Sequence, residues 1–130
     1  MNDPNGLVVL DGEHHIFYQH NPDADVWGPM HWGHAVSRDL LRWEHLPVAL
    51  SPDDHGWIYS GSVVIDAEGT VGFGAGALVA VFTHANDIGQ SQSLAWSTDS
   101  GRTWTGFEGN PVLDAPAGEP DFRDPRVFRW

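Results

Sequence analysis

Apolar residues recur along this chain in short alternating runs, and no window repeats them at i, i+3, i+4 and i+7 over three turns. The pattern predicts strands and an all-β fold. Leu7–Leu10 and His15–Gln19 flank Asp11-Gly12-Glu13, a hairpin turn signal. His31–Ser37 and Trp43–Val48 flank Arg38-Asp39-Leu40. Ser62–Ile65 and Ala77–Thr83 flank a glycine-rich loop from Asp66 to Gly76. Ser93–Ser97 and Trp104–Phe107 flank Thr98-Asp99-Ser100-Gly101, and a last strand is expected to start near Arg126-Val127-Phe128.

One hairpin pattern occurs twice. Ala35-Val36-Ser37-Arg38-Asp39 leads to Arg42-Trp43, and Ala95-Trp96-Ser97-Thr98-Asp99 leads to Arg102-Thr103-Trp104, 60 residues later. Repeated antiparallel hairpins of this kind suggest propeller blades, which run to about 40–50 residues each. The chain holds about two blades and cannot close a ring, so it reads as the front part of a longer protein, cut at both ends. Ser97-x-Asp99-x-Gly101-x-Thr103-Trp104 resembles the Asp-box of sialidases and other propellers, a folded turn that points to architecture and not to activity.

Six basic against eighteen acidic residues give a net charge of −12. Such a surface repels phosphate backbones and argues against nucleic acid as a partner. No apolar run approaches the roughly 20 residues of a membrane helix, and no signal-peptide pattern is visible in the opening residues. Localisation is left unassigned. The absence of cysteine removes disulfides and thiolate chemistry. Seven tryptophans in 130 residues exceed what a small core requires; most are expected inside, with sugar-stacking rings as the functional use of the others.

The chain opens on Met1-Asn2-Asp3-Pro4-Asn5-Gly6, a dense cluster of turn formers ahead of the first strand. Taken alone it reads as an ordinary turn in which Asp3 bonds its own backbone. A second Asp-Pro step, Asp124-Pro125, follows Arg123, whose charge would keep Asp124 ionised; its plain reading is a surface turn with a weak local ion pair. Together the two steps would set two carboxylates at one end of neighbouring blades, and glycoside hydrolysis uses paired carboxylates. Gln19, the run from Trp27 to His34, and Tyr59-Ser60-Gly61-Ser62 add amides, rings and hydroxyls suited to a sugar. Eight histidines raise a metal site, but His31 and His34 lack zincin spacing and His14-His15 point to opposite faces of a strand, so no metal is expected.

Met1–Gly6, Phe17-Tyr18-Gln19, Trp27-Gly28, His31-Trp32-Gly33-His34-Ala35, Tyr59-Ser60-Gly61-Ser62 and Phe122-Arg123-Asp124-Pro125 occur in the order found in one family. Over essentially its whole length the chain resembles the invertase–levanase–inulinase family, the family-32 glycoside hydrolases. The resemblance implies a five-bladed β-propeller catalytic domain, of which this chain covers about the first two blades, and a retaining β-fructofuranosidase. It implies Asp3 as nucleophile and Asp124 as transition-state stabiliser. Asn2, Gln19, Trp27, Tyr59, Ser60 and Arg123 match positions that line the fructosyl subsite; at Tyr59 the family commonly has Phe. The implied substrates are sucrose, sucrose 6-phosphate, inulin or levan, with no metal or organic cofactor.

The family's general acid is a Glu in a Glu-Cys motif, and this chain has no Cys and no Glu after Arg123. The 130 residues alone are therefore expected to be inactive. In a retaining enzyme that acid and the nucleophile would stand roughly 5–5.5 Å apart. Two other readings remain. A sialidase-like propeller is supported by the Asp-box alone, without an evident arginine triad. A non-catalytic sugar-binding propeller would be favoured if no Glu-Cys motif followed in the longer gene.

Overall fold

The computed structural model describes residues 1–128. Among the described residues, nine strands form two antiparallel sheets. β1 (Asn2–Leu10), β2 (Glu13–His20), β3 (His31–Ser37) and β4 (Glu44–Leu50) make a meander in the order β1-β2-β3-β4. β5 (Trp57–Asp66), β6 (Ala77–Ala85), β7 (Gln90–Ser97) and β8 (Thr105–Gly106) make a second, and β9 (Leu113–Asp114) also pairs with β7. The predicted hairpins are present. Asp11 and Gly12 both have positive φ, 50° and 75°, the two-residue turn whose twist matches the flanking strands.

The opening segment differs from its expected form. Asn2 to Gly6 is the bulged first half of β1 and not a turn before it. Asn2 pairs with Gln19 and Pro4 with Tyr18, with register shifts between Asn2 and Pro4 and again between Asn5 and Val8. The turn-forming residues serve as bulge residues: Gly6 takes φ 57°, and a Cβ there would stand 2.8 Å from the Phe17 ring. At the other end, Arg126 to Phe128 form no strand among the described residues.

The core lies between the sheets. Phe17, Trp32 and Leu50 from the first meet Ile58, Val63, Leu78, Ala80, Phe82 and Ala95 from the second. Phe17 is wholly buried, with the Trp32 ring at 5.5 Å, the His34 ring stacked at 4.1 Å and the Trp104 ring edge-on at 5.4 Å. Trimming such a side chain to alanine typically costs about 3–5 kcal/mol. The expectation that most tryptophans are core does not hold. Trp32 alone of the six described is fully buried, Trp96 and Trp104 are half-buried, and Trp27, Trp43 and Trp57 are exposed. Trp43 serves its turn instead, donating from Nε1 to the Leu40 carbonyl at 3.2 Å.

The repeated hairpin turns fold alike. Ser97 Oγ donates to Asp99 Oδ1 at 2.7 Å and accepts the Gly101 N–H at 2.9 Å, while Asp99 accepts from the Thr103 N–H and hydroxyl at 2.9 and 2.6 Å. In the first sheet Asp39 accepts the Leu41 and Arg42 N–H groups at 2.9 and 2.8 Å. The second-sheet turn also ties the sheets together. Arg102 reaches Glu13 at 2.6 Å, and the Gly101 backbone lies over the buried, hydrogen-bonded pair His15–His34. Burial foremost, then the neighbouring His15 and Arg102, pulls the His34 pKa down to about 3.

Candidate active site

The starts of β1 and β5 and the ends of β2 and β6 meet at one end of the two sheets. Gln19, at the end of β2, is 2% exposed and donates from Nε2 to the Ile58 carbonyl at the start of β5, 3.0 Å away. Its Oε1 has no hydrogen-bond partner among the described residues. A buried acceptor left open in this way costs free energy unless a donor is brought to it. Across the pair, Asn2 is exposed beside it.

Asp3 is exposed at φ 30°, and the preference of a pre-proline residue for extended backbone is overridden. Asn5 holds it there: this buried residue donates from Nδ2 to the Asp3 carbonyl at 3.2 Å. Five described non-glycine residues have positive φ. Asp11, Leu40 and Ser100 sit in hairpin turns; the other two are Asp3 and Asp124, at φ 62°. Backbone strain of this sort persists where surrounding structure enforces it, and it clusters at functional sites.

Tyr59 links the halves of the site. Its carbonyl accepts the Trp32 indole N–H at 3.0 Å, and the exposed Trp27 ring stands edge-on to its ring at 5.7 Å. Tyr59 pairs with Thr83 in β6, and a register shift between Tyr59 and Gly61 puts half-buried Ser60 on a bulge. Thr83 Oγ1 accepts the Asp124 N–H at 3.1 Å, so the second Asp-Pro step sits against the end of β6. Ser62 Oγ donates to the Pro125 carbonyl at 3.0 Å and accepts the Val127 N–H at 2.9 Å.

Arg123 lies between two carboxylates. Its guanidinium pairs closely with Asp121, the first cause of its raised pKa, while Asp124 lies 3.9 Å from Nε. Asp121 therefore competes for the charge that was expected to serve Asp124. An open groove of about 550 Å³ adjoins Tyr59, walled by Trp57, Asp87, Ile88 and Gln90.

Sequence reading missed Asn5, Thr83, Gln90 and Gln92, the side chains that fix the two Asp-Pro backbones. The last three act across gaps of 30 residues or more, and no local pattern marks such contacts. His31 and His34, weighed as a metal pair, each bond within the fold. His34 is buried against His15, and His31 bonds the Pro29 carbonyl at 2.9 Å. A Ser-His-Asp line, Ser93 Oγ to His84 Nδ1 at 2.7 Å and His84 Nε2 to Asp53 at 3.2 Å, has its serine wholly buried and out of reach of any substrate.

Two antiparallel meanders thus pack face to face, as neighbouring blades of a propeller do, with aspartates, amides and aromatic rings at the end where their first strands start. The profile of the glycosyl hydrolases family 32 N-terminal domain matches residues 1–130. A levanase of Bacillus subtilis is 58% identical over 98% of this chain, which spans 19% of that protein. The crystal structure of exo-inulinase from Aspergillus awamori superposes with a TM-score of 0.89 at 41% identity, covering 98% of this chain and 30% of that one. A fructofuranosidase from Schwanniomyces occidentalis, solved in complex with fructose, gives 0.90 at 41% identity, with coverage of 98% and 27%. The chain belongs to glycosyl hydrolase family 32, and its two sheets are the first blades of that family's five-bladed β-propeller. The sialidase-like reading falls with this assignment; the Asp-box on which it rested is a structural turn.

Proposed function

We propose that these 130 residues are the N-terminal part of a propeller glycosidase that releases β-D-fructofuranosyl units from sucrose or fructans with retention of configuration. Asp3 attacks the anomeric carbon, the bond to the leaving oxygen breaks, and a fructosyl ester forms on Asp3. A carboxylic acid supplied from outside these residues gives the leaving oxygen its proton. The same group, now a base, takes a proton from water, and hydroxide displaces Asp3 to release fructose. Asp124 accepts hydrogen bonds from sugar hydroxyls that strengthen as charge develops in the transition state. Arg123, Asn2 and the open Gln19 oxygen meet the remaining hydroxyls, Ser60 contributes its own, and Trp27 and Tyr59 wall the ring.

The observation that carries the reading is the pair of aspartates. Both are exposed, both have positive φ outside any hairpin turn, and both precede proline in a chain of this family. The test is to incubate the full-length protein with sucrose, inulin and levan, measure fructose release, and follow the first anomer by NMR. Initial β-fructofuranose is expected. Initial α-anomer, or no release from any of the three, would overturn the proposal.

A further inference from the structure

We propose that Thr83 and Gln92 are positioning residues that set the backbone of Phe122–Asp124, and through it the carboxylate of Asp124. The proposal rests on the reading of Asp124 as transition-state stabiliser. The two residues are register partners on β6 and β7, 0% and 6% exposed. The Thr83 hydroxyl donates to Gln92 Oε1 at 2.8 Å, and Gln92 Nε2 donates to the Phe122 carbonyl at 2.7 Å. The Asp124 N–H donates back to Thr83 Oγ1 at 3.1 Å.

The polarity of this loop is fixed. A hydroxyl has one hydrogen; Thr83 gives it to Gln92 and so turns a lone pair to Asp124. If the Gln92 amide were reversed, its oxygen would face the Phe122 carbonyl, acceptor against acceptor. The clamp thus grips the chain on both sides of Arg123, and Gln90 Oε1 adds a bond from the Phe122 N–H at 2.7 Å. The Asp124 backbone is held at φ 62° while its side chain remains 59% exposed. A core without ligand duty would fill the Thr83 and Gln92 positions with apolar residues, as it does at neighbouring Phe82 and Ala95. A polar pair buried there is tolerable because each of its side-chain polar atoms has a hydrogen-bond partner. Its use is geometric: displacement of a reacting group by about 1 Å can cost about 10²-fold in rate.

The test uses the full-length protein with Thr83→Val, which keeps shape and removes both bonds, and Thr83→Ser, which keeps both. Hydrogen exchange read on peptides covering residues 121–128 reports the clamp without reference to activity. Thr83→Val is expected to speed exchange there by about tenfold or more, consistent with the loss of about 1.4 kcal/mol of local protection. It should lower kcat on sucrose by about 10–10²-fold with little change in KM. Thr83→Ser should restore both, with far-UV circular dichroism native throughout. Unchanged exchange in a folded Thr83→Val protein overturns the proposal. So does faster exchange with normal kcat where Asp124→Asn itself slows turnover. If Asp124→Asn leaves turnover normal, the fault lies in the reading of Asp124, and exchange alone then decides whether Thr83 and Gln92 hold the segment.

Discussion

Replacing Gly61 by alanine tests how the Tyr59-Ser60-Gly61-Ser62 stretch is built. A Cβ at Gly61 would lie 2.1 Å from the Val81 carbonyl oxygen and 2.7 Å from the Phe82 Cα. Both obstacles are main chain, in a strand paired on its other side with β7, so neither can swing aside. Relief requires β5 to move off β6 at the bulge that presents Tyr59 and Ser60. Overpacking of a core typically costs about 1–3 kcal/mol, and a clash with backbone belongs at the upper end. The urea midpoint should fall, and its shift multiplied by the measured m-value should come to about 3 kcal/mol. The assay is urea denaturation of the full-length protein, followed by tryptophan fluorescence, since the Trp32 indole N–H donates to the Tyr59 carbonyl. A second reading comes from KM on sucrose, which should rise as Tyr59 and Ser60 shift. A loss below about 0.5 kcal/mol, with normal KM, would refute the reasoning, because a difference that small lies within ordinary surface effects.

Three further outcomes follow from the same structure. Asp124→Asn should lower kcat more than it raises KM, because a stabiliser acts on the transition state; a rise in KM alone would demote it to ground-state binding. Stability should fall as pH drops below 6.5 toward 3, since buried His34 stays neutral down to about 3 while the unfolded chain takes up a proton near 6.5. The slope is about 1.4 kcal/mol per pH unit in that window, absent above it, and smaller in His34→Gln; equal slopes in urea titrations of the two proteins would contradict the assignment. Residues 1–130 expressed alone should release no fructose from sucrose, inulin or levan, since they hold no Glu after Arg123 to serve as the acid and general acid catalysis typically contributes about 10²–10⁴-fold; turnover comparable to the full-length protein would refute this.

The hairpins were legible from alternation in the strands and turn formers between them, as at Asp11-Gly12, although in the β3–β4 turn the positive φ falls on Leu40, which no turn signal marks. The start of β1 was not. Asn, Pro and Gly mark a break in a sheet without saying whether the chain turns or bulges, and pairing with β2 decided for a bulge. Ser60-Gly61 likewise read as a strand boundary, yet β5 begins at Trp57, since Gly61 serves close approach to β6 and not termination. Tryptophan count said nothing about tryptophan burial: Trp43 and Trp104 open equivalent return strands, and only Trp104 meets the opposite sheet. Of the site, the aspartates were visible as motif residues, whereas the bonds that set their backbones come from Asn5, two residues from Asp3, and from Thr83 and Gln92, which meet only once β6 and β7 are paired.

The central claim is that Asp3 is the nucleophile, and turnover of the Asp3→Asn variant tests it most directly. The substitution removes the charge, nearly preserves size, and leaves the Asn5 bond to the residue-3 carbonyl untouched. Full-length wild-type and variant proteins would be compared on sucrose and levan, with circular dichroism and the urea midpoint confirming an intact fold. The account predicts that kcat falls by several orders of magnitude while the midpoint stays put. Near-normal turnover by the folded variant would contradict it.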